Sequence, residues 1–392
     1  MFVAFFIGVV EVWAQPVIQW QKTYGGSSFE TANSIVQTND NGFITTGQAA
    51  SNDGDVIGNH GGWDILVVKM DSVGGLQWKK SFGGSNNDWA FSAIQTSDEG
   101  YIVAGYTGSN DGDVSGNHGD KDMWILKLDS NGAIQWQKLL GGSGWEEAWA
   151  VKQTADDGFI IAGRASSTDG DVIGVHGYLD YWVVKLSNTG DLEWQKSLGG
   201  SGLDIAYAVR QTVDGGYIVA GESDSQDGDV EGNHGGSDYW VVKLNFEGKI
   251  EWQKSLGGTG LDRGNDICQT REGGYLVFGQ ARSTNNDVTG NHGGYDCWAV
   301  KLGKTGVIEW EKALGGTGDD YGQSIHQSLD GSYILAGFTA SNNGDVIGNH
   351  GETDAWIIKL SEAGSMIWQK TLGGTSPDKG VQSVRQMIKA TS

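Results

Sequence analysis

Proline and cysteine are almost missing: the chain has two of each in 392 residues. With so few prolines, nearly every backbone amide can donate, which suits a chain made mostly of hydrogen-bonded ladders. Two cysteines, Cys268 and Cys297, cannot build a disulfide framework. They fall on strands that another strand should separate, so both read as small apolar fillers. Positive charge is also scarce. Lys and Arg number 26 against 49 Asp and Glu, a net charge of −23 with a pI near 4.5. That balance excludes nucleic acid as a partner and disfavours an anionic membrane surface, because both demand a basic footprint. Phe2 to Val10 is an apolar run of only nine residues, about half of what a bilayer-spanning helix needs, so no transmembrane segment is expected. No segment shows a sustained helical period.

Glycine and tryptophan, by contrast, are abundant: 65 and 17 residues. Seven of the tryptophans recur at a fixed interval of 58 residues, at Trp20, Trp78, Trp136, Trp194, Trp252, Trp310 and Trp368. Around each runs a consensus of the form DxWVVKL, a Gly/Asn/Ser turn, IxWQKxLGG, a Gly-rich loop, AxSVxQTxDGGYIVAG and SxDGDVxGNHGGxD. A unit repeated in this way cannot bury its apolar face alone, so successive copies must stack.

Each unit holds four strand signals bounded by turn residues. In the fourth copy they are Ala206–Gln211, Tyr217–Ala220, Tyr239–Val242 and Ile250–Lys254. Asp214-Gly215-Gly216 and its counterparts tolerate the positive φ of tight hairpins. The fold class expected is therefore all-β, a β-propeller of four-stranded antiparallel blades. By analogy with Kelch-type blades, AxSVxQT is innermost, GGYIVAG second, DxWVVKL third and IxWQK outermost. Six complete blades then run over about 30–80, 88–138, 146–195, 204–254, 262–312 and 320–370. An outermost strand, Val17 to Lys22, and an innermost strand near Val381 to Gln386 remain, as the ends of an incomplete seventh blade. The alternative is a closed six-bladed ring.

The runs Asp238-Tyr239-Trp240-Val241-Val242-Lys243-Leu244, Gly257-Gly258-Thr259-Gly260-Leu261-Asp262 and Gly273-Gly274-Tyr275-Leu276-Val277-Phe278-Gly279 resemble the seven-bladed β-propeller repeat family of secreted bacterial proteins. The resemblance covers about residues 17–385. It departs by a longer period, since the DGDVxGNHGG insertion lies outside the family's core motif. It implies a fold and an extracellular setting but no reaction.

The two ends of the chain carry expectations of their own. Phe2 to Val10 followed by Val12-Trp13-Ala14 has the form of a signal peptide over residues 1–14, leaving 15–392 as a single propeller domain. The competing reading takes Phe6 to Val12, one period before Asp64 to Met70, as a degenerate third strand. After Arg385-Gln386 the consensus calls for a further turn and strand, yet the chain reads Met387-Ile388-Lys389-Ala390-Thr391-Ser392. Codons for that stretch in another frame can encode the missing motif, so a truncated reading is expected.

Candidate chemistry falls into two groups. The DGDV loops supply Asp53, Asp55, Asp111, Asp113, Asp169, Asp171, Asp227, Asp229, Asp287 and Asp345, each loop being followed by a His and an Asp. Clustered carboxylates beside a glycine turn offer the hard oxygen ligands that Ca2+ takes, although the spacing is not that of an EF-hand. The reading favoured on residue type is structural: Asp and Asn bond loop amides, and His60, His118, His176, His234, His292 and His350 bridge blades. No cofactor is required on either account. The acids Glu30, Asp88, Glu146, Asp204, Asp262, Asp320 and Asp378 precede each innermost strand. They read as caps for backbone N–H groups, with a ring of acids at one channel mouth as the alternative.

In a pseudo-symmetric ring, architecture repeats and a specific site must break the repeat. The entry to the innermost strand does so, with Trp89 and Phe91 in the second blade and Trp145 and Trp149 in the third. Tyr207, Arg263 and Tyr321 occupy the same columns further on. Aromatics of this kind suit stacking on a sugar or an apolar side chain; the competing reading is packing between blades. The function expected is a secreted or cell-surface non-catalytic scaffold, monomeric, that binds a glycan or extracellular protein through one face. The alternative is a propeller-type glycan hydrolase or lyase over the channel. Against an enzyme, there is no nucleophile elbow and no paired carboxylate that departs from the repeat, and His326 and Lys152, though unique at their position, belong to no constellation.

Overall fold

The computed structural model describes residues 2–8 and 17–378. Among them every regular element is a strand. Six four-stranded antiparallel sheets follow one another, each in the spatial order inner, second, third, outer along the chain. The chain is a six-bladed β-propeller, the alternative that the sequence left beside an incomplete seventh blade. Blade one runs over 30–82, blade two 88–140, blade three 146–198, blade four 204–256, blade five 262–314 and blade six 320–372.

Outside the six blades, β1 (Phe2–Gly8) and β2 (Val17–Tyr24) form a two-stranded sheet. β1 lies within the stretch read as a signal peptide and begins four residues before the degenerate strand considered for Phe6 to Val12. The innermost strand expected near Val381 to Gln386 lies outside the described residues. Compactness divides the chain into two units. The first holds blades one to three with the inner strand of blade four; the second holds the other three strands of blade four and blades five and six.

The 58-residue tryptophan has a specific task. Trp78, on the outer strand of blade one, donates through Nε1 to Ser130 O in the third hairpin turn of blade two at 3.1 Å. It also meets Tyr101 edge-on, with ring centroids 5.6 Å apart. Gly132 closes that turn at φ 78°, where a Cβ would stand 2.8 Å from the Trp78 ring, so the position demands glycine twice over. Trp310 repeats the contact on Glu362 O at 3.2 Å. Trp20 does the same from β2 onto Ser72 O at 3.2 Å, so β2 meets blade one as the outer strand of blade one meets blade two.

The third strands are buried along their whole length, in keeping with apolar runs that show no alternation. Five carry a fully buried tryptophan, Trp124, Trp182, Trp240, Trp298 and Trp356. A buried indole N–H needs an acceptor, and the outer strand supplies it thirteen residues on. Trp240 donates to Gln253 Oε1 at 2.9 Å, and Trp298 to Glu311 Oε2 at 2.7 Å. Blade one has Leu66 in place of the tryptophan and Lys79 in place of the acceptor. Each third strand also buries a lysine, such as Lys69, whose ammonium reaches Asp40 Oδ2 at 2.8 Å and Gln77 Oε1 at 2.8 Å.

Carboxylates tie the blades at the edge where inner strands begin. Asp64, wholly buried, accepts from His60 N at 2.9 Å and contacts His60 Nδ1 at 2.7 Å. Asp88 of the next blade is equally buried and accepts from Gly84 N at 2.8 Å and from the hydroxyls of Thr107 and Ser109. Between the two acids lies Gly83, where a Cβ would fall 2.6 Å from Asp88 Oδ2 and 2.7 Å from Asp64 Oδ1. The repeated glycine at this position follows from that crowding. The acids before the inner strands are thus caps, as favoured from the sequence.

Burial raises the carboxyls of Asp64 and Asp238 to about 6, against the hydrogen bonds from His60 and His234. The hydrogen bond to Asp64 in turn raises His60. Asp40 and Asp330 go the other way: burial pushes them up, but lysine, hydroxyl and amide donors outweigh it and hold them at about 2. A raised folded-state pKa stabilises below the unfolded value and is lost as pH rises through 6; a depressed one is lost as pH falls through 2. The melting temperature should therefore rise on going from pH 8 to pH 5. The double variant Asp64→Asn, Asp238→Asn should show a shallower rise in a thermal-melt series, and an unchanged slope would contradict the assignment.

Candidate functional site

At the edge where inner strands begin, second strands end and third strands start, the repeat breaks down. The first cross-strand pairs after the repeated acid are Thr31 with Gln48, Trp89 with Tyr106, Glu147 with Arg164, Arg263 with Gln280 and Tyr321 with Phe338. Two positions later each of these five inner strands has a β-bulge. The residues left out of register are Asn33, Phe91, Trp149, Asn265 and Gln323. A bulge re-aims its side chain, and here it faces the next blade: Asn33 donates to Ala90 O at 2.8 Å and Asn265 to Gly322 O at 2.6 Å.

The first unit brings together Trp89, Phe91, Trp145, Trp149 and Tyr207. Phe91 is buried and stacks on Trp149 of the next blade at 3.9 Å, and Trp149 meets Tyr207 edge-on at 5.2 Å. These three bulge-column aromatics link successive inner strands. Trp89 lies outside that column, stacked on its partner Tyr106 at 5.8 Å and tilted against Trp63 at 6.2 Å. The indole N–H groups of Trp89 and Trp149 are buried without a hydrogen-bond partner.

Trp145 is enclosed by cations. Lys121 Nζ stands 4.2 Å from its ring centroid and Arg164 Cζ 4.1 Å, while Lys121 Nζ also lies 4.5 Å over Tyr106. The Trp145 indole donates to Glu147 Oε1 at 2.9 Å, and Arg164 Nη2 reaches Glu147 Oε2 at 2.8 Å. Burial pushes the Glu147 carboxyl up, opposed by Arg164, the indole N–H and Lys121. Backbone bonds pin this contact between blades: Lys121 N donates to Gly144 O at 3.2 Å and Glu146 N to Lys121 O at 2.8 Å.

Arg263 and Tyr321 belong to the second unit. There Arg263 pairs with Glu222 at 2.9 Å, and Tyr321 stacks on Phe338 at 4.9 Å beside Tyr295 at 5.2 Å. Four participants in the first unit were not singled out from the sequence: Trp63, Tyr106, Lys121 and Arg164. Trp63 and Lys121 precede the third-strand aspartate, where other blades have Leu179, Ser237, Tyr295 and Thr353. The symmetry-breaking signal was there too, in columns 17 and about 30 residues downstream of those inspected.

The DGDV acids bind the Gly-rich loop of their own blade. Asp53 accepts from Ser27 N at 2.8 Å and Asp55 from Gly25 N at 3.4 Å. Asp111, Asp169 and Asp227 accept from Ser85, Ser143 and Ser201 N at 2.7, 2.7 and 2.6 Å. Asp113, Asp171, Asp287 and Asp345 accept from glycine amides at 3.3 Å. The histidines bond chiefly the aspartate of their own blade, with a longer reach to the next, 3.9 Å from His60 Nε2 to Asp113. Among the described residues no three His, Cys, Asp or Glu side chains group as metal ligands.

No protein-family model matches the chain, and no curated protein matches it in sequence. Solved structures do overlap with it. A protein of unknown function from Bacteroides caccae is 13% identical over 76% of this chain and 85% of its own, with a TM-score of 0.42. BamB from Moraxella catarrhalis is 15% identical over 92% and 81%, with a TM-score of 0.44. Sqt1 from Chaetomium thermophilum is 13% identical over 88% and 72%, with a TM-score of 0.46.

Two outcomes are expected. Because backbone amides engage the loop carboxylates, EDTA should leave the melting temperature unchanged; a fall reversed by millimolar Ca2+ would show that the loops hold metal. Trp149→Ala should cost about 2–3 kcal/mol of stability in denaturant titration, just under the range for a fully buried tryptophan, by uncovering Phe91. A loss below about 0.5 kcal/mol, typical of surface positions, would place Trp149 outside the packing.

Proposed function

We propose that this protein is a non-catalytic binding scaffold, exported to the cell surface or beyond, that holds a glycan or protein ligand at the strand-start edge of blades two and three. One observation carries the reading. Chemical variety is concentrated at that edge, in the pairs Trp89 with Tyr106 and Glu147 with Arg164, while the third-strand lysine, the buried acids and the outer-strand tryptophan recur from blade to blade. A repeated residue serves the fold; a residue that differs at one blade is available for recognition. Half-buried Trp63, Trp89 and Trp145 give rigid contact area at small entropic cost. The net charge of −23 argues against nucleic acid. No helix among the described residues is long and apolar enough to cross a membrane.

A glycan hydrolase or lyase is the second reading. In its favour stands Glu147, a buried carboxyl with a raised pKa, a common mark of acid catalysts. Its indole and guanidinium partners equally suit a structural acid. A glycan and peptide array on the purified chain, followed by product analysis on each hit, separates the two. Saturable binding without turnover is expected, and release of shortened products would overturn the scaffold reading.

A further inference from the structure

We propose that Lys121 is the carboxylate anchor of a subsite for an acidic sugar, a uronate residue of a polysaccharide, whose ring packs beside the indoles of Trp63 and Trp89. This rests on the binding-scaffold reading and specifies its ligand.

Lys121 differs from the structural lysines. Lys69, Lys127, Lys185, Lys243, Lys301 and Lys359 are buried, and each has a carboxylate within 3.1 Å. Lys121 is half-buried and makes no ion pair or side-chain hydrogen bond among the described residues. It is held instead over two aromatic rings, at 4.5 Å from Tyr106 and 4.2 Å from Trp145. Cation–π contact holds an ammonium without a carboxylate or carbonyl acceptor, so donor capacity remains for a ligand. In a chain with 49 acids and 26 bases, a cation with no carboxylate at ion-pair distance is conspicuous; its one electrostatic acid neighbour, Glu147, is already paired with Arg164.

The local charge points to one carboxylate. Among the three side chains Lys121, Arg164 and Glu147 the charge sums to one positive unit, with Asp122 taken up by His118 and Glu146 by the amide of Gly142. A phosphate dianion would leave charge unmatched, whereas a carboxylate matches it. The neighbouring groups point to a ring. Trp63 and Trp89 stand 6.2 Å apart at 60°, and Trp89 stacks at 5.8 Å on the same Tyr106 ring over which Lys121 lies at 4.5 Å. A pyranose has flat apolar faces that suit such rings, and a uronate carries its carboxylate on the ring edge. A peptide adding as a strand would need free backbone groups. Here Lys121 N and O are already bonded to Gly144 and Glu146.

The test uses the full chain, polygalacturonate and its fully methyl-esterified form, with dextran and poly-L-glutamate for comparison, by isothermal titration. Thermal melts first establish that Lys121→Met and Lys121→Arg are folded. Polygalacturonate should bind, and esterification should weaken binding roughly tenfold or more, the scale of one charge-assisted hydrogen bond. Lys121→Met should lose a similar factor and Lys121→Arg should retain most of the affinity. Equal binding by Lys121→Met, or of the esterified polymer, overturns the proposal. If the esterified polymer or dextran binds and Trp89→Ala abolishes it while Lys121→Met does not, the scaffold reading stands and the acidic sugar falls. Poly-L-glutamate binding as tightly as polygalacturonate overturns the sugar. Absence of binding to all four polymers and to the array removes both readings.

Discussion

A four-stranded blade has two apolar faces and can bury them only against its neighbours, and everything else in this protein follows from that constraint. The third strands, buried at every residue, are where it acts most strongly. Once they are enclosed, the indole and ammonium groups they carry inside must arrive with partners, because an unpaired buried donor or charge costs more than the pair returns. Hence the indole of Trp240 comes with Gln253, and the ammonium of Lys243 with Glu251. The outer-strand tryptophan then clamps the next blade by lying on its glycine turn. The period of the sequence is the period of that clamp.

The same constraint bears on where the proposed recognition would occur. Strand faces are spent on burial, outer strands on clamping and the DGDV loops on tying down the Gly-rich loops. The strand-start edge is also built on fixed groups, the acids Asp88 and Glu146, but its neighbouring cross-strand pairs are free to vary. In blades two and three they vary toward aromatic and cationic side chains, and the bulge at Phe91 and Trp149 stacks successive inner strands beneath them. Burial of Glu147 and the cations around Trp145 make this part of the edge rigid. Rigidity of that kind lowers the entropic cost of binding.

Much of this was legible in the residues. The 58-residue tryptophan, the glycine turns and the strand runs determine four strands per repeat and their order, and blade starts such as Asp88 and Glu146 coincide with the structure. Trp89 and Trp145 stood out because their columns vary. Lys121 and Arg164 did not, since their place beside Trp145 depends on strand pairing and on a bridge between blades, which residue spacing alone does not reveal. The bulge was equally hidden. Trp149 reads as a ligand-facing aromatic until the extra residue in its strand turns it onto Phe91. The blade count was left between two alternatives because Val17 to Lys22 resembles every other outer strand, and in the structure it does contact blade one as an outer strand would.

On the proposed reading, ligand meets the variable edge of blades two and three and nothing else. Oxidative footprinting of the 17 tryptophans by mass spectrometry tests it directly, because the chain carries its own controls. Trp124, Trp182, Trp240, Trp298 and Trp356 are fully buried, while Trp78, Trp136 and Trp252 are half-buried on the outer strands. With saturating ligand, oxidation should fall at Trp63, Trp89 and Trp145 and stay unchanged at Trp78, Trp136 and Trp252. Protection of the outer-strand tryptophans, or none at Trp63, Trp89 and Trp145, would place the ligand elsewhere.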